Sequence, residues 1–189
     1  MKKSLFVALF AFGIFFQSGF AQRSGGAEKY GNTLNLAVGI GYYGYINHSV
    51  PVLHLNYEFD VANNFTLAPF ISFYQYDNTH YYRDPKKNYP SGYYGYRATV
   101  IPIGLKGTYY FDQILNASSK WDFYLAGSLG FAIVSTKWDD NYYGDRNDYN
   151  RANPLYLDLH IGAEYHISNK LGIFLDLSSG ISTLGLSIH

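Results

Sequence analysis

The stretch Leu155-Tyr156-Leu157-Asp158-Leu159-His160-Ile161-Gly162-Ala163-Glu164-Tyr165-His166-Ile167 alternates from end to end. A strand points successive side chains to opposite faces, so this spacing separates two unlike surfaces. One surface carries Leu155, Leu157, Leu159, Ile161, Tyr165 and Ile167, without a charge. The other carries Asp158, His160, Glu164 and His166, with Gly162 between them.

The same period runs in both directions. It predicts strands at 33–43, 50–61, 65–77, 96–111, 121–137, 154–167, 171–178 and 181–189. The uncharged face continues through Leu34, Leu36 and Val38, Leu53 and Leu55, Ile71 and Phe73, Ile101, Ile103 and Leu105, and Leu125, Leu129, Phe131 and Ile133. It ends with Ile173, Leu175 and Leu177, then Leu184, Leu186 and Ile188. The opposite face adds His54, Glu58, Asp60, Lys106, Asp122 and Asp176, interleaved with Gly, Ala and Ser. A soluble sandwich or lipocalin-like carrier would coat its exterior with long charged residues and turn the apolar face inward. Here the polar face is too poor in long charged side chains, and too rich in small ones, to be an exterior. It suits a narrow, crowded lumen. A transmembrane barrel inverts the soluble pattern, and a Lys or Arg on its lipid face near mid-bilayer costs about 2–4 kcal/mol. The expected fold is therefore all-β, an antiparallel up-and-down transmembrane barrel of eight strands.

The connections agree. Those at 62–64, 112–120 and 168–170 are short or moderate, whereas 78–95 and 138–153 are long, polar and Tyr-rich. Short inner turns and long outer loops alternate in this way in membrane barrels. Aromatic side chains gather near strand ends, where amphipathic rings favour an interface. Tyr57, Phe59, Phe65, Tyr109, Tyr110, Phe111, Trp121 and Phe123 are assigned to an inner belt. Tyr42, Tyr43, Tyr45, Phe73, Tyr74, Tyr76, Tyr93, Tyr94, Tyr96 and Trp138 are assigned to an outer one. Residues 171–189 must supply two strands shorter than usual, with Ser178-Ser179-Gly180 as the turn.

Upstream, Lys2 and Lys3 precede an apolar run from Leu5 to Phe16, and small residues lead to Ala21. This is the pattern of a secretory signal peptide over 1–21, cleaved before Gln22. A polar, Gly-rich, flexible lead-in follows at 22–32. The chain has 189 residues, no Cys, and fourteen Lys+Arg against fourteen Asp+Glu. The missing Cys excludes disulfides, zinc–thiolate sites and a cysteine nucleophile, and the neutral balance argues against nucleic acid as a partner. Aromatic residues reach 20% and charged ones only 15%, where about 25% charged is usual.

With these features, including the ending Leu184-Gly185-Leu186-Ser187-Ile188-His189, the sequence resembles the eight-stranded outer-membrane β-barrel family of Gram-negative bacteria, the OmpA/OmpX-like type. The resemblance covers 33–189. It implies an outer-membrane location, contact with outer-membrane lipids and lipopolysaccharide, and delivery by a barrel-assembly machinery. A monomer without cofactors is expected. Such barrels typically end in an aromatic residue, and here His189 stands in that place.

An eight-stranded barrel is just wide enough inside for side chains to fill, so no large pore is expected. The expected lumen network is His54, Glu58, Lys106, Asp158, His160, Glu164 and Asp176. Buried charge persists when paired, so a structural plug is favoured over a gated ion path. His54, His160 and Glu164, with Asp158, are candidate metal ligands by residue type. Their spacing is only the strand period, so no metal is assigned. Catalysis would need a set such as His48-Ser49 with His80 and Asp77 or Asp84, and no nucleophile-elbow motif supports one. No enzyme is expected, and an enzyme acting on lipid A or surface peptides is the alternative. Tyr81, Tyr82, Arg83, Tyr93, Tyr94, Tyr142 and Tyr143 are residue types common at binding hot spots; they are expected as outer-loop contacts, either extending the outer aromatic belt against lipopolysaccharide or meeting a surface ligand. Asp139, Asp140, Asn141, Asp145, Asn147 and Asp148 offer oxygen ligands to a hard cation but lack the spacing of a calcium loop.

Overall fold

A computed structural model describes residues 30–41, 50–83, 92–142 and 154–189. The signal-peptide segment 1–21, most of the lead-in, and Tyr42, Tyr43, Tyr45, His48, Ser49, Asp84, Tyr143, Asp145, Asn147 and Asp148 lie outside the described residues.

The strands are β1 (Thr33–Gly41), β2 (Val50–Ala62), β3 (Phe65–Tyr82), β4 (Gly92–Tyr110), β5 (Trp121–Trp138), β6 (Leu155–Ser168), β7 (Leu171–Ser178) and β8 (Ile181–Ile188). Each pairs antiparallel with its sequence neighbours, and β1 pairs with β8 from Leu34↔Ile188 to Gly41↔Ile181, closing the barrel. Closure leaves no strand edge, which is what a sheet in hydrocarbon requires, because no water is present there to satisfy an open ladder. Tight connections fix the register. Ala62 pairs with Phe65 across Asn63-Asn64, and Asn64 takes the left-handed conformation (φ 57°) that such a two-residue turn favours.

Side-chain parity follows the sequence reading. Leu159, Phe131 and Leu53 face outward at 73%, 63% and 60% exposure, whereas Lys106 and Asp176 face inward at 3% and 2%. The outward apolar face corrects the lipocalin-like alternative, which needs that face inside.

Two features differ from expectation. First, β3 and β4 run beyond 65–77 and 96–111, pairing as far as Tyr82↔Gly92. Their upper pairs Asp77↔Arg97 and Tyr81↔Tyr93 keep the alternation, and cross-strand pairs of this kind stabilise a ladder. Second, Tyr74, Tyr76, Tyr96 and Trp138 do not form an outer belt, nor does Tyr110 belong to the inner one. All five are buried inside the barrel. They share the inward parity, and a closed interior must be filled. Nearness to a strand end says little about which way a ring points.

The outward face of β5 between Trp121 and Ile133 should tolerate no charge. Leu129→Arg is expected to lower folding free energy by about 2–4 kcal/mol, measured by urea titration of heat-modifiable gel mobility in vesicles. The same change at Ser135, above the apolar band, should cost well under half of that.

Candidate functional site

Two regions hold the chemistry of the barrel: the tall outer wall of β3–β5 and the packed lumen. On the wall, the outward face changes character row by row. Phe73, Ile101 and Ile133 are apolar, and the next outward residues are Gln75, Thr99 and Ser135, aligned across the three strands. Gln75 Nε2 donates to Thr99 Oγ1 at 2.8 Å. The row above is Asp77, Arg97 and Lys137. Arg97 grips Asp77 with two hydrogen bonds, from Nε at 2.7 Å and from Nη2 at 3.1 Å. These hydrogen bonds hold the Asp77 carboxyl below the usual carboxylate range. Both partners are solvent-exposed, so the pair orients the guanidinium more than it stabilises the barrel. One row higher, Gly95 N–H donates to Asp139 Oδ2 and Asp139 N–H returns a bond to Gly95 O, both at 3.1 Å. A concavity of about 530 Å³ lies among these rows, lined by Asp77, Thr79, Arg97, Lys137 and Asp139.

The tyrosines expected as outer contacts divide by parity. Tyr81 and Tyr93 face outward and touch, with ring centroids 5.0 Å apart. Tyr142 faces inward, stacked on Trp138 at 4.0 Å, and Tyr94 meets it edge-on at 5.5 Å. Tyr142 is thus buried among the inward rings, away from the exposed position expected of a surface contact. Arg83 is exposed just past β3, and the Tyr82 side chain lies outside the described residues. The weighed catalytic pair is also divided. Asp77 points outward to Arg97, whereas His80 packs edge-on against inward Trp138.

Within the lumen, the seven predicted residues form several local networks. Near its middle, Lys106 Nζ donates to Asp176 Oδ2 at 2.5 Å, and Tyr124 donates to the same oxygen at 3.1 Å. His160 Nδ1 meets Asp176 Oδ1 at 2.7 Å, and its Nε2 meets Ser128 at 2.8 Å. Glu58 accepts from Tyr110 at 2.7 Å, Thr66 at 2.8 Å and Asn35 at 3.2 Å. Asn56 donates to His54 Nε2 at 3.1 Å, leaving the His54 Nδ1 proton for Ser72 at 2.7 Å. Asp158 lies 3.8 Å from His160 Nε2 and reaches away from it to the β7–β8 turn. It accepts from Tyr156, Ser178 and Ser179, and from the Ile181 N–H at 3.0 Å. It therefore ties down the β7–β8 turn, which explains how two eight-residue strands can close so tightly. Glu164 stands at the inner mouth and meets His189 at 2.8 Å. The set His54, His160 and Glu164 weighed as metal ligands is thus dispersed over three networks.

Residues that sequence reasoning missed fill the rest. At the outer end, Phe70, Tyr74, Tyr76, Tyr96, Trp138, Tyr142 and Tyr156 form one buried cluster with Val52, Val100 and Ile181. At the inner end, Tyr30 stacks on Tyr110 with centroids 4.0 Å apart and donates to Asp112 at 3.1 Å. Gly31 N–H reaches Asp60 at 2.9 Å. The last residues of the lead-in are therefore docked in the barrel mouth. Lumenal glycines make room for these rings: a Cβ on Gly162 would strike the Tyr124 ring. Inward parity was the signal that could have found the rings, and the alternation of small and large residues was the second.

The Lys106–Asp176 pair is almost fully buried, and removing one partner of such a pair strands the other charge. Lys106→Met should lower stability by about 3–5 kcal/mol in the same urea assay. Adding Asp176→Asn should restore at least half of that loss, because the carboxylate no longer needs a cation.

No family model matches the chain, and no curated protein matches it. Among solved structures it is similar to Neisserial surface protein A, with 12% identity and a TM-score of 0.51 over 82% of this chain and 94% of that one. It also matches Ail, the attachment invasion locus protein of Yersinia pestis, in complex with a heparin analogue (8% identity, TM-score 0.43, 82% and 94% covered). A de novo designed transmembrane β-barrel aligns with 13% identity and a TM-score of 0.44, over 85% and 98% of the two chains. The fold is that of the eight-stranded outer-membrane β-barrels.

Proposed function

We propose that the protein is an integral outer-membrane barrel of a Gram-negative cell, with a plugged lumen, no catalysis, and a surface-interaction role of the adhesion kind. The observation that carries this reading is the wall of β3–β5. Its strands have 18, 19 and 18 residues, against eight or nine in β7, β8 and β1. A strand rises about 3.4 Å per residue, so the excess length stands well above the apolar band. It offers water an ordered face of Asp77, Arg97, Lys137, Tyr81 and Tyr93. Fixed aromatic and guanidinium groups on a rigid sheet favour recognition, because little rotamer freedom remains to be lost on binding. The plugged lumen is supported by the aromatic cluster and the Lys106–Asp176 and Glu58 networks below this wall, which fill inward positions of a narrow barrel.

Membrane lipid and outer-leaflet lipopolysaccharide are the partners of the apolar band, and a barrel-assembly machinery is the partner during insertion. The protein is expected to work as a monomer without a cofactor.

Cells displaying the barrel should adhere to protein-coated surfaces more than cells displaying a version with Tyr81→Ala, Tyr93→Ala and Arg97→Ala, at equal surface level. Equal adhesion by the two would remove the proposed role of the wall. In planar bilayers the purified protein should give no steady conductance step; a large, reproducible one would contradict the plug.

A further inference from the structure

We propose that the inner mouth of the barrel is a divalent transition-metal site formed by Glu164, His166 and His189, and that zinc is the ion it fits. The inference stands on side-chain geometry and is independent of any role of the outer wall.

Glu164 Oε1 lies 2.8 Å from His189 Nε2 and 3.9 Å from His166 Nδ1. All three ligand atoms fall within 4.8 Å of one another. A tetrahedral zinc with bonds of about 2.1 Å needs ligand atoms about 3.4 Å apart, a value between the two measured edges. A small side-chain adjustment would therefore seat an ion. Two imidazoles and one carboxylate form a donor set that zinc accepts with a fourth position left for water.

The outer partners of both imidazoles aim the correct nitrogen inward. His166 Nε2 lies 2.8 Å from Asp122 Oδ2. A carboxylate only accepts, so Nε2 carries the proton and Nδ1 keeps its lone pair toward Glu164. His189 Nδ1 lies 2.9 Å from Thr33 Oγ1, and that hydroxyl gives its own proton to the Tyr30 carbonyl at 3.0 Å. Thr33 must then accept from Nδ1–H, and His189 Nε2 donates to Glu164 at 2.8 Å, so an ion would take the place of the proton shared between them. Metal-ligating histidines are held in this way, with the second ring nitrogen bonded to a carboxylate or other oxygen. Opposite them, Gly172 supplies the space, since a Cβ there would strike the Glu164 carboxylate. The His166 and His189 side chains are 23% and 18% exposed, so an ion can enter from the mouth.

Such an ion would join β6 to the segment just past β8, spanning β7 beside the seam where β8 meets β1. It would fasten the barrel where short strands close it.

Protein purified in detergent, freed of metal with chelator and confirmed folded by heat-modifiable mobility, should take up one zinc per chain by elemental analysis. Cobalt(II) should give the intense visible bands of tetrahedral coordination, and zinc should abolish them. His166→Ala and Glu164→Gln should each weaken zinc binding at least tenfold, and Thr33→Val about tenfold, in the range for an outer partner. His80→Ala, at the other end of the barrel, should leave it unchanged. Folded wild-type protein that binds neither ion saturably would overturn the proposal, whatever the variants do. So would wild-type affinity in folded Glu164→Gln.

Discussion

A peptide group in hydrocarbon has no water to bond with, so every N–H and C=O of a spanning sheet must find a partner strand. The barrel meets this demand by pairing β1 with β8, and most of its other features follow. A closed cylinder of eight strands has an inside and an outside, and the two-residue period assigns each side chain to one of them. Outside is lipid, which admits Leu, Ile, Val and Phe. Inside is a space so narrow that ionisable groups cannot keep bulk hydration. They must be satisfied by each other, as Lys106, Asp176 and His160 are, or by hydroxyls and amides, as Glu58 is.

This constraint made the strands legible in the sequence. The stretch 155–167 shows both faces because charge cannot cross to the lipid side, and the same exclusion marks the other strands. The inward position of Glu58, Lys106, Asp158 and Asp176 was readable for that reason. Their partners were not, since pairing across the lumen depends on register and shear, which alternation leaves open. Asp158 illustrates the gap: its parity was plain, but its work on the β7–β8 turn depends on the fold bringing Ser178, Ser179 and Ile181 to it. The aromatic residues exposed a different limit. Tyr74, Tyr76, Tyr96, Tyr110 and Trp138 were placed by nearness to strand ends, and the demand to fill the interior overrode that cue. His189 stood out only as a departure from an aromatic ending, and its meeting with Glu164 and Thr33 is visible only in three dimensions.

The barrel is uneven in height, and its two sides are built differently. On one side β3–β5 rise past the apolar band, and their outward face turns polar at a single row, Gln75–Thr99–Ser135. On the other, β7, β8 and β1 barely span and are held by the Asp158 turn above and the Glu164–His189 contact below. The tall wall presents chemistry to the outside, while the short wall keeps the cylinder shut.

Which face meets hydrocarbon decides every other feature of the barrel. Spin labels placed singly at Leu105, Leu157 and Lys137 in bilayer-reconstituted protein test it most directly, by comparing relaxation from dissolved oxygen with that from a water-soluble nickel chelate. Leu105 and Leu157 should respond to oxygen and be shielded from nickel, and Lys137 should show the reverse. Nickel reaching Leu157 as readily as Lys137 would contradict the orientation from which everything else follows.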